Sequence, residues 1–288
     1  MYPSRFRYEA PHSLDEALAL LRDHGDEAKV LAGGQSLVPL LKLRFAAPGL
    51  LVDINRVPGL DHLTEAPDGT LHVGALCRHA TLERSALLAD GHPLMASAAP
   101  LIADPIVRNR GTLVGSLCHS DPQGDWASVL LALGGYVVAA GPAGRRPIAA
   151  ADFSLGPFEN ALRPDEIAVE AVVPAARGAV SGTYFKLERR VGDFATVGVA
   201  VALETAGGLV TRAGIALTGV GPSNIQATAA EQALVGKPLS AESVEEAAQL
   251  AAEAARPRSD HRGSAAYKRH VVATFVRRGL TREEAVAA

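Results

Sequence analysis

A glycine-rich segment near the start of the chain has the composition of a phosphate-binding turn. Residues 31–36 read LAGGQS and are followed directly by the apolar segment 37–41. Gly33 and Gly34 would let a ligand approach the backbone closely, and Ser36 is a suitable N-cap for a helix. Exposed N–H groups in a turn that opens a helix favour a bound phosphate. A tight turn before a purely structural helix would show the same pattern.

A second polar segment, residues 108–122, combines two glycines, three hydroxyl side chains and two arginines. Hydroxyl and backbone N–H groups can share the oxygens of a pyrophosphate, and arginine can bind them in a bidentate manner. Asp121, near the end of this segment, and Asp125, just beyond it, lie where a carboxylate could accept hydrogen bonds from ribose or ribityl hydroxyls. An ordinary surface loop is the alternative. Two such segments in one domain favour a shared dinucleotide more than either does alone.

Short strands and helices are predicted to position these segments. Ser13 and Glu16 form a capping-box pattern, which predicts a helix that begins after Ser13 and ends near Gly25. Thr81 is predicted to cap a further helix that runs through Leu87. Strands are predicted at residues 29–32, 50–54, 71–73, 136–140 and 166–173, and a helix at residues 92–102.

The segment 174–178 contains proline and glycine, and it predicts a domain boundary. Large and small apolar residues alternate over 197–203, as in a strand with one large-residue face. Strands followed by helices indicate an α+β domain. The predicted strands are residues 183–190, 195–203 and 209–217, and the predicted helices are 225–234, 241–255 and about 264–278.

Composition excludes several classes of function. The 288 residues carry a net charge of −3 with no basic cluster, which argues against nucleic-acid binding. The two cysteines, Cys77 and Cys118, cannot supply four ligands to an iron–sulfur cluster, and no histidine pair has metal-ligand spacing. Residues 219–224 fail the dinucleotide pattern GxGxxG at the last position. No membrane span or signal peptide is indicated, so a cytoplasmic protein is expected.

The two polar segments together resemble the flavin motifs of a known family. They are similar to those of the FAD-binding medium subunits of carbon monoxide dehydrogenase and xanthine dehydrogenase, which are molybdenum hydroxylases. The resemblance extends over essentially the whole chain. Its strongest matches are residues 32–44 for the first flavin motif, residues 108–112, 115–117 and 120–122 for the second, and residues 186–190, 192–195 and 260–269 in the C-terminal part.

This resemblance implies an α+β fold with two domains. A two-subdomain FAD-binding domain of the vanillyl-alcohol-oxidase-like kind would occupy residues 1–176, with subdomains at about 1–55 and 56–176. An α+β flavoprotein domain would occupy residues 177–288. The resemblance also implies which residues contact FAD. Those around the pyrophosphate would be Leu31, Ala32, Gly33, Gly34, Gln35 and Ser36, and those facing the cofactor would be Gly111, Thr112, Gly115, Ser116 and His119. Asp121 and Asp125 would bind its hydroxyl groups, Ile167 or Ala168 would line the flavin pocket, and Lys186 would approach the cofactor from the C-terminal domain.

Three positions depart from the family pattern. Valine stands at Val114, where glycine is usual, and this could narrow the approach of the backbone to the cofactor. Cysteine stands at Cys118 where alanine is usual, and it is expected to be an inert packed thiol. Residues 103–105 read ADP where GHP is common.

The resemblance implies an electron-transfer subunit with no catalytic acid, base, nucleophile or metal ligand of its own. Its FAD would take electrons from [2Fe–2S] clusters of a small partner subunit and pass them to an external acceptor. A large partner would carry the molybdenum cofactor, and the heterotrimer is expected to pair into a dimer of heterotrimers. Two alternatives remain open at this point: a self-contained flavin reductase or oxidase, and a scaffold subunit that has lost FAD.

Overall fold

The N-terminal part of the chain forms a small parallel sheet flanked by two helices. We describe a computed structural model, which places the backbone of residues 2–287 and the side chains of residues 2–281. The strand order is β1-β3-β2, and both pairs are parallel. Its elements are β1 Arg7–Glu9, α1 Leu14–His24, β2 Ala28–Leu31, α2 Leu37–Leu43 and β3 Leu50–Asp53.

Helix α1 begins and ends as its sequence predicts. The hydroxyl of Ser13 accepts a hydrogen bond from the Glu16 N–H at 3.2 Å, and the chain leaves the helix at Gly25 with a φ of +50°. The carboxylate of Glu16 accepts from the His12 N–H, one residue before the N-cap, instead of completing the capping box. Strands β2 and β3 both end at the glycine-rich edge of the sheet, so they place residues 32–36 there.

The middle of the chain forms a five-stranded antiparallel sheet with order β4-β5-β10-β6-β7. The last strand in sequence, β10, lies at its centre and is buried along most of its length. The elements are β4 Leu63–Glu65, β5 Leu71–Gly74, α3 His79–Glu83, α4 Ala86–Gly91, α5 Pro93–Ala98, α6 Pro105–Arg108, α7 Leu113–His119, α8 Asp125–Ala132, β6 Tyr136–Gly141, β7 Gly144–Ala149, α9 Ala150–Phe153, β8 Ser154–Gly156, β9 Glu159–Asn160 and β10 Ile167–Val173.

The prediction of one helix that begins after Thr81 and runs through Leu87 is wrong, because two separate helices are found and the first begins earlier. Helix α3 begins at His79 and ends before Ser85, so Thr81 lies within the helix and does not cap it. Ser85 caps the separate helix α4, because its hydroxyl accepts from the Leu88 N–H at 3.3 Å. A tertiary contact fixes the earlier start, since the His79 N–H donates to the carbonyl of Gly111 at 3.0 Å.

The C-terminal part is an antiparallel meander of four strands followed by helices. The predicted order of strands before helices is therefore found, with one strand more than predicted. Its order is β11-β12-β13-β14. Several boundaries differ from the prediction. The first strand is Ala179–Leu187 instead of 183–190, the second is Val197–Ala206 instead of 195–203, and Ile225 begins a short strand instead of a helix. The last helix continues to Ala287 instead of about residue 278. The elements are β11 Ala179–Leu187, β12 Val197–Ala206, β13 Leu209–Thr218, β14 Ile225–Gln226, α10 Thr228–Leu234, α11 Ala241–Ala254 and α12 Ala265–Ala287.

This C-terminal sheet packs on both faces. The large residues of β12, such as Val199 and Val201, face helices α10–α12. The opposite face carries small residues and packs on α5 and α8 of the preceding part of the chain. The close fit is clearest at two glycines: an added Cβ at Gly182 would lie 2.8 Å from the Leu94 Cβ, and one at Gly214 would lie 2.7 Å from the Ala132 carbonyl carbon.

Candidate functional site

A cleft of about 700 Å³ lies where the three parts of the chain meet. Its volume is in the range of small-molecule sites. Asp121 is the one predicted site residue that does not contribute to the wall. The fifteen predicted residues that do are Leu31, Ala32, Gly33, Gly34, Gln35, Ser36, Gly111, Thr112, Gly115, Ser116, His119, Asp125, Ile167, Ala168 and Lys186.

The two glycine-rich segments touch each other in this cleft. A Cβ added to Gly33 would lie 2.7 Å from the Cα of Gly111, so a side chain at Gly33 would force the segments apart. Gly34 has a φ of +75°, a conformation that side-chain-bearing residues rarely adopt. Gly33 and Gly34 are therefore required by the conformation and packing of the backbone itself. Ser36 occupies the predicted N-cap position of α2, but its hydroxyl makes no capping hydrogen bond to the helix.

The second segment opens helix α7 through a side-chain cap. The hydroxyl of Thr112 accepts from the Gly115 N–H at 3.0 Å. Val114 is buried in the hydrophobic core, which accommodates a valine where the family pattern has glycine. Burial raises the pKa of the Cys118 thiol to about 12, so this cysteine is protonated and unreactive at neutral pH.

Asp125 and Lys186 form a buried ion pair in the cleft wall. Their side chains are 7% and 2% exposed, and the Lys186 Nζ donates to the Asp125 Oδ2 at 2.9 Å and to the Leu101 carbonyl at 2.9 Å. The Tyr184 hydroxyl donates to the other carboxylate oxygen at 2.6 Å. Burial raises the pKa of Asp125, and Lys186 and Tyr184 oppose that shift. Both oxygens thus already serve the protein before any ligand hydroxyl is considered.

His79 is a wall residue that the sequence analysis missed. It is 4% exposed, and its Nδ1 accepts a hydrogen bond from the Trp126 indole N–H at 3.0 Å. Burial lowers the pKa of His79 to about 4, so the ring is neutral and its proton resides on Nε2. The Nε2 edge packs beside Gly111, where it offers a fixed N–H donor at the cleft wall. No local pattern marks His79, because its partners lie far away in the sequence.

Phe158 is a second missed wall residue. It is exposed, it has a φ of +63°, and its ring lies 5.1 Å from that of His119. A bulky residue at positive φ is strained, and such strain concentrates at functional sites. Burial lowers the pKa of His119, and the nearby charge of Asp121 opposes this shift. His119 and Phe158 therefore form an aromatic, predominantly uncharged part of the wall.

Among the residues whose side chains are placed, no group of histidine, cysteine, aspartate and glutamate could hold a metal ion. Within the same part of the chain, no helix has the length and apolar character needed to cross a membrane.

Comparison with known proteins identifies the family. A family model described as the FAD binding domain in molybdopterin dehydrogenase matches residues 4–176. Another, described as the CO dehydrogenase flavoprotein C-terminal domain, matches residues 182–282. The chain belongs to this family of FAD-binding dehydrogenase subunits. The predicted resemblance and fold class are confirmed.

Relatives in this family align over almost the full chain. The carbon monoxide dehydrogenase medium chain of Hydrogenophaga pseudoflava is 42% identical over 97% of both chains. The 6-hydroxypseudooxynicotine dehydrogenase complex subunit alpha of Paenarthrobacter nicotinovorans is 40% identical, over 98% of this chain and 95% of the relative. A solved structure of the carbon monoxide dehydrogenase from Hydrogenophaga pseudoflava aligns with a TM-score of 0.93 and 44% identity, over 98% of both chains.

The cleft of this FAD-binding subunit suits its cofactor. The two glycine segments are in van der Waals contact and expose backbone atoms at the cleft wall. A β-carbon at Gly33 would collide with the other segment, and one at Gly34 would strain the backbone. Bound FAD supplies the redox chemistry of an oxidoreductase subunit, and the protein binds the cofactor and tunes its surroundings. The neutral His79 N–H, the Asp125–Lys186 pair and the ring of Phe158 are the chain's own groups available to orient it.

Proposed function

We propose that the cleft holds FAD with its pyrophosphate at the two glycine segments and its hydroxylated parts towards Asp121 and Asp125. The observation that carries this proposal is the contact between Gly33 and Gly111, which unites the two segments in one wall. Ile167 or Ala168 would line the flavin ring, and Lys186 would approach it from the C-terminal sheet. The division into domains at residues 1–176 and 177–288 is part of the same proposal. One hydrophobic core lies entirely on its C-terminal side, and the other is formed mainly by residues before 176.

The bound flavin is expected to be FAD and not FMN, because two phosphate-compatible segments suit a pyrophosphate. Denaturing the purified protein and separating the released flavin by chromatography tests this. FMN in the supernatant, or failure of the apoprotein to take up FAD on reconstitution, would contradict the proposed site.

The chain would act as one subunit of a larger assembly. Relatives are named as a medium chain and as a subunit of a dehydrogenase complex. The two cysteines of this chain are both buried or partly buried and cannot ligate an iron–sulfur cluster by themselves. We therefore propose a small partner with [2Fe–2S] clusters as electron donor, a large partner with the molybdenum cofactor, and a dimer of heterotrimers in the cytoplasm. Light scattering of the native complex tests its stoichiometry, and cell fractionation tests its location.

Anaerobic bleaching of the flavin separates this function from a self-contained reductase or oxidase. The isolated chain should hold oxidised FAD that no organic substrate bleaches at a catalytic rate. Addition of the two partners should allow the substrate of the complex to bleach the same flavin. Catalytic bleaching of the isolated chain would show that it has its own active site.

A further inference from the structure

Two side chains outside the glycine segments connect one segment to the other. Arg78 follows strand β5 and is half-buried. Its guanidinium donates from Nη1 to the carbonyl of Arg110 and from Nη2 to the Oδ1 of Asn55. The Nδ2 of Asn55 donates in turn to the carbonyl of Ala32 at 2.8 Å. A continuous chain of hydrogen bonds therefore runs from Ala32 to Arg110.

These two carbonyls belong to the residues that directly precede Gly33 and Gly111, the point where the two segments touch. The connection consequently spans the same gap that the glycine contact closes. The contact prevents the segments from approaching further, and the hydrogen bonds prevent them from separating. Together they fix the distance between the backbone groups proposed to face the pyrophosphate.

The orientation of the Asn55 amide follows from its partners. A guanidinium has no acceptor, so the atom that faces Arg78 must be the amide oxygen, and the nitrogen must face the Ala32 carbonyl. Asp53 supports this arrangement because its Oδ1 accepts hydrogen bonds from the Asn55 backbone N–H at 2.9 Å and from the Asn55 Nδ2. The Tyr8 hydroxyl donates to the other Asp53 oxygen. The side chain of Asn55 is thus held from both ends.

Arg78 is joined to the second segment by its backbone as well. It forms an isolated β-bridge with Thr112, and the neighbouring His79 N–H donates to Gly111. The tie to the first segment, in contrast, passes through the guanidinium and Asn55. The planar guanidinium of arginine has two donors at a fixed separation, so it can bind the Arg110 carbonyl and the Asn55 amide oxygen at once. The ammonium group of a lysine is a point charge and lacks that geometry.

We propose that Arg78 and Asn55 are positioning residues that set the separation of the two FAD-binding segments and thereby the affinity for the pyrophosphate. This inference rests on the proposed placement of the pyrophosphate between those segments. The residues act through the backbone and need not touch FAD themselves.

The test uses two variants. Arg78→Lys keeps the positive charge but removes the paired guanidinium donors, and Asn55→Leu removes the amide that links Arg78 to the Ala32 carbonyl. Arg56→Lys is the matched control, because Arg56 is exposed and directly follows Asn55 in the sequence. The readouts are the Kd for FAD and for ADP, measured by titration of the full-length apoprotein, and the Tm of the apoprotein without ligand. ADP carries the pyrophosphate without the flavin ring.

Each variant should raise the Kd for FAD at least about tenfold and the Kd for ADP by a similar factor, with an apoprotein Tm within a few degrees of the wild type. Arg56→Lys should change neither. The double variant should resemble the weaker-binding single variant, because both changes break one connection. Wild-type Kd values in both single variants, multiplicative effects in the double variant, or a loss confined to FAD would each overturn the positioning role.

A variant whose Kd rises only in proportion to a large fall in Tm would also overturn it, because the residue would then support folding in general. Failure of the proposed function itself is recognised separately. In that case the wild-type apoprotein would bind neither FAD nor ADP, whatever the variants do.

Discussion

Removal of the Lys186 ammonium should leave a buried carboxylate without its main partner. In Lys186→Met, Asp125 would keep the Tyr184 hydroxyl but lose a charge 2.9 Å away, at a site where its own side chain is 7% exposed. Breaking a buried ion pair on one side costs about 3–5 kcal/mol. For a chain of 288 residues that corresponds to a fall in Tm of roughly 5–8 °C. The measurement is thermal unfolding of the apoprotein, because bound FAD would add its own stabilisation.

The loss of stability in Lys186→Met should increase with pH. Burial already raises the pKa of Asp125 above its usual 3.8, and Lys186 opposes that shift, so its removal raises the pKa further. The folded variant then holds a proton at pH values where the unfolded chain has lost it, and its stability falls as pH rises through the raised pKa. The deficit relative to wild type should therefore be larger at pH 8 than at pH 5.

The double variant Asp125→Asn/Lys186→Met provides the control, since it removes the carboxylate that is left unpaired. It should be more stable than Lys186→Met at pH 8 and should lack the added pH dependence. Glu188, whose carboxylate lies 3.6 Å from the Lys186 Nζ, loses that cation in both variants, so this loss does not distinguish them. Its repulsion of the Asp125 carboxylate acts only in Lys186→Met, where it adds to the expected deficit. Equal stability of the two variants at pH 8, or a deficit that does not vary with pH, would refute the reasoning.

Three further changes test individual features of the cleft. Gly33→Ala should raise the Kd for FAD, measured by titration of the apoprotein, at least about tenfold, because the added Cβ would collide with the second glycine segment. Gly49→Ala is the control: its Cβ would lie 3.5 Å from the nearest atom, so the Kd for FAD should not change. His79→Gln should reduce the loss of apoprotein stability between pH 6.5 and pH 4, since a folded-state pKa of about 4 makes the wild type lose stability as pH falls through that window; an unchanged acid-unfolding curve would contradict this. Ser36→Ala should change the Tm of the apoprotein by less than about 2 °C, because no cap is lost, and a larger fall would show that the hydroxyl has a structural partner.

Features with a local cause were predictable from the sequence. Helix α1 begins at Ser13 because a hydroxyl and a backbone N–H three residues away are sufficient to cap it. The alternation along β12 likewise predicts a sheet with one large-residue face, and that face packs on helices α10–α12. The glycine segments were recognisable because a tight turn restricts residue type at consecutive positions.

Features that depend on distant partners were not predictable in this way. His79 begins a helix because the carbonyl of Gly111 accepts its N–H, and no property of the residues around Thr81 indicates that contact. Asn55 and Arg78 have ordinary surroundings in the sequence, and their arrangement exists only after two sheets have brought the segments together. Asp125 was predicted from its position after the second segment, but its partner Tyr184 lies 59 residues away.

The small-residue face of the C-terminal sheet restricts how this chain can exchange parts with its relatives. Gly182 and Gly214 have no room for a methyl group against α5 and α8, and Ala200 and Ala216 are buried on the same face. A hybrid gene that joins the first 176 residues to a relative's C-terminal half would need small residues at these four positions. We therefore expect a hybrid joined near residue 176 to fold only when the relative's sheet presents a matching small-residue face to α5 and α8, whatever the substrates of the two parents.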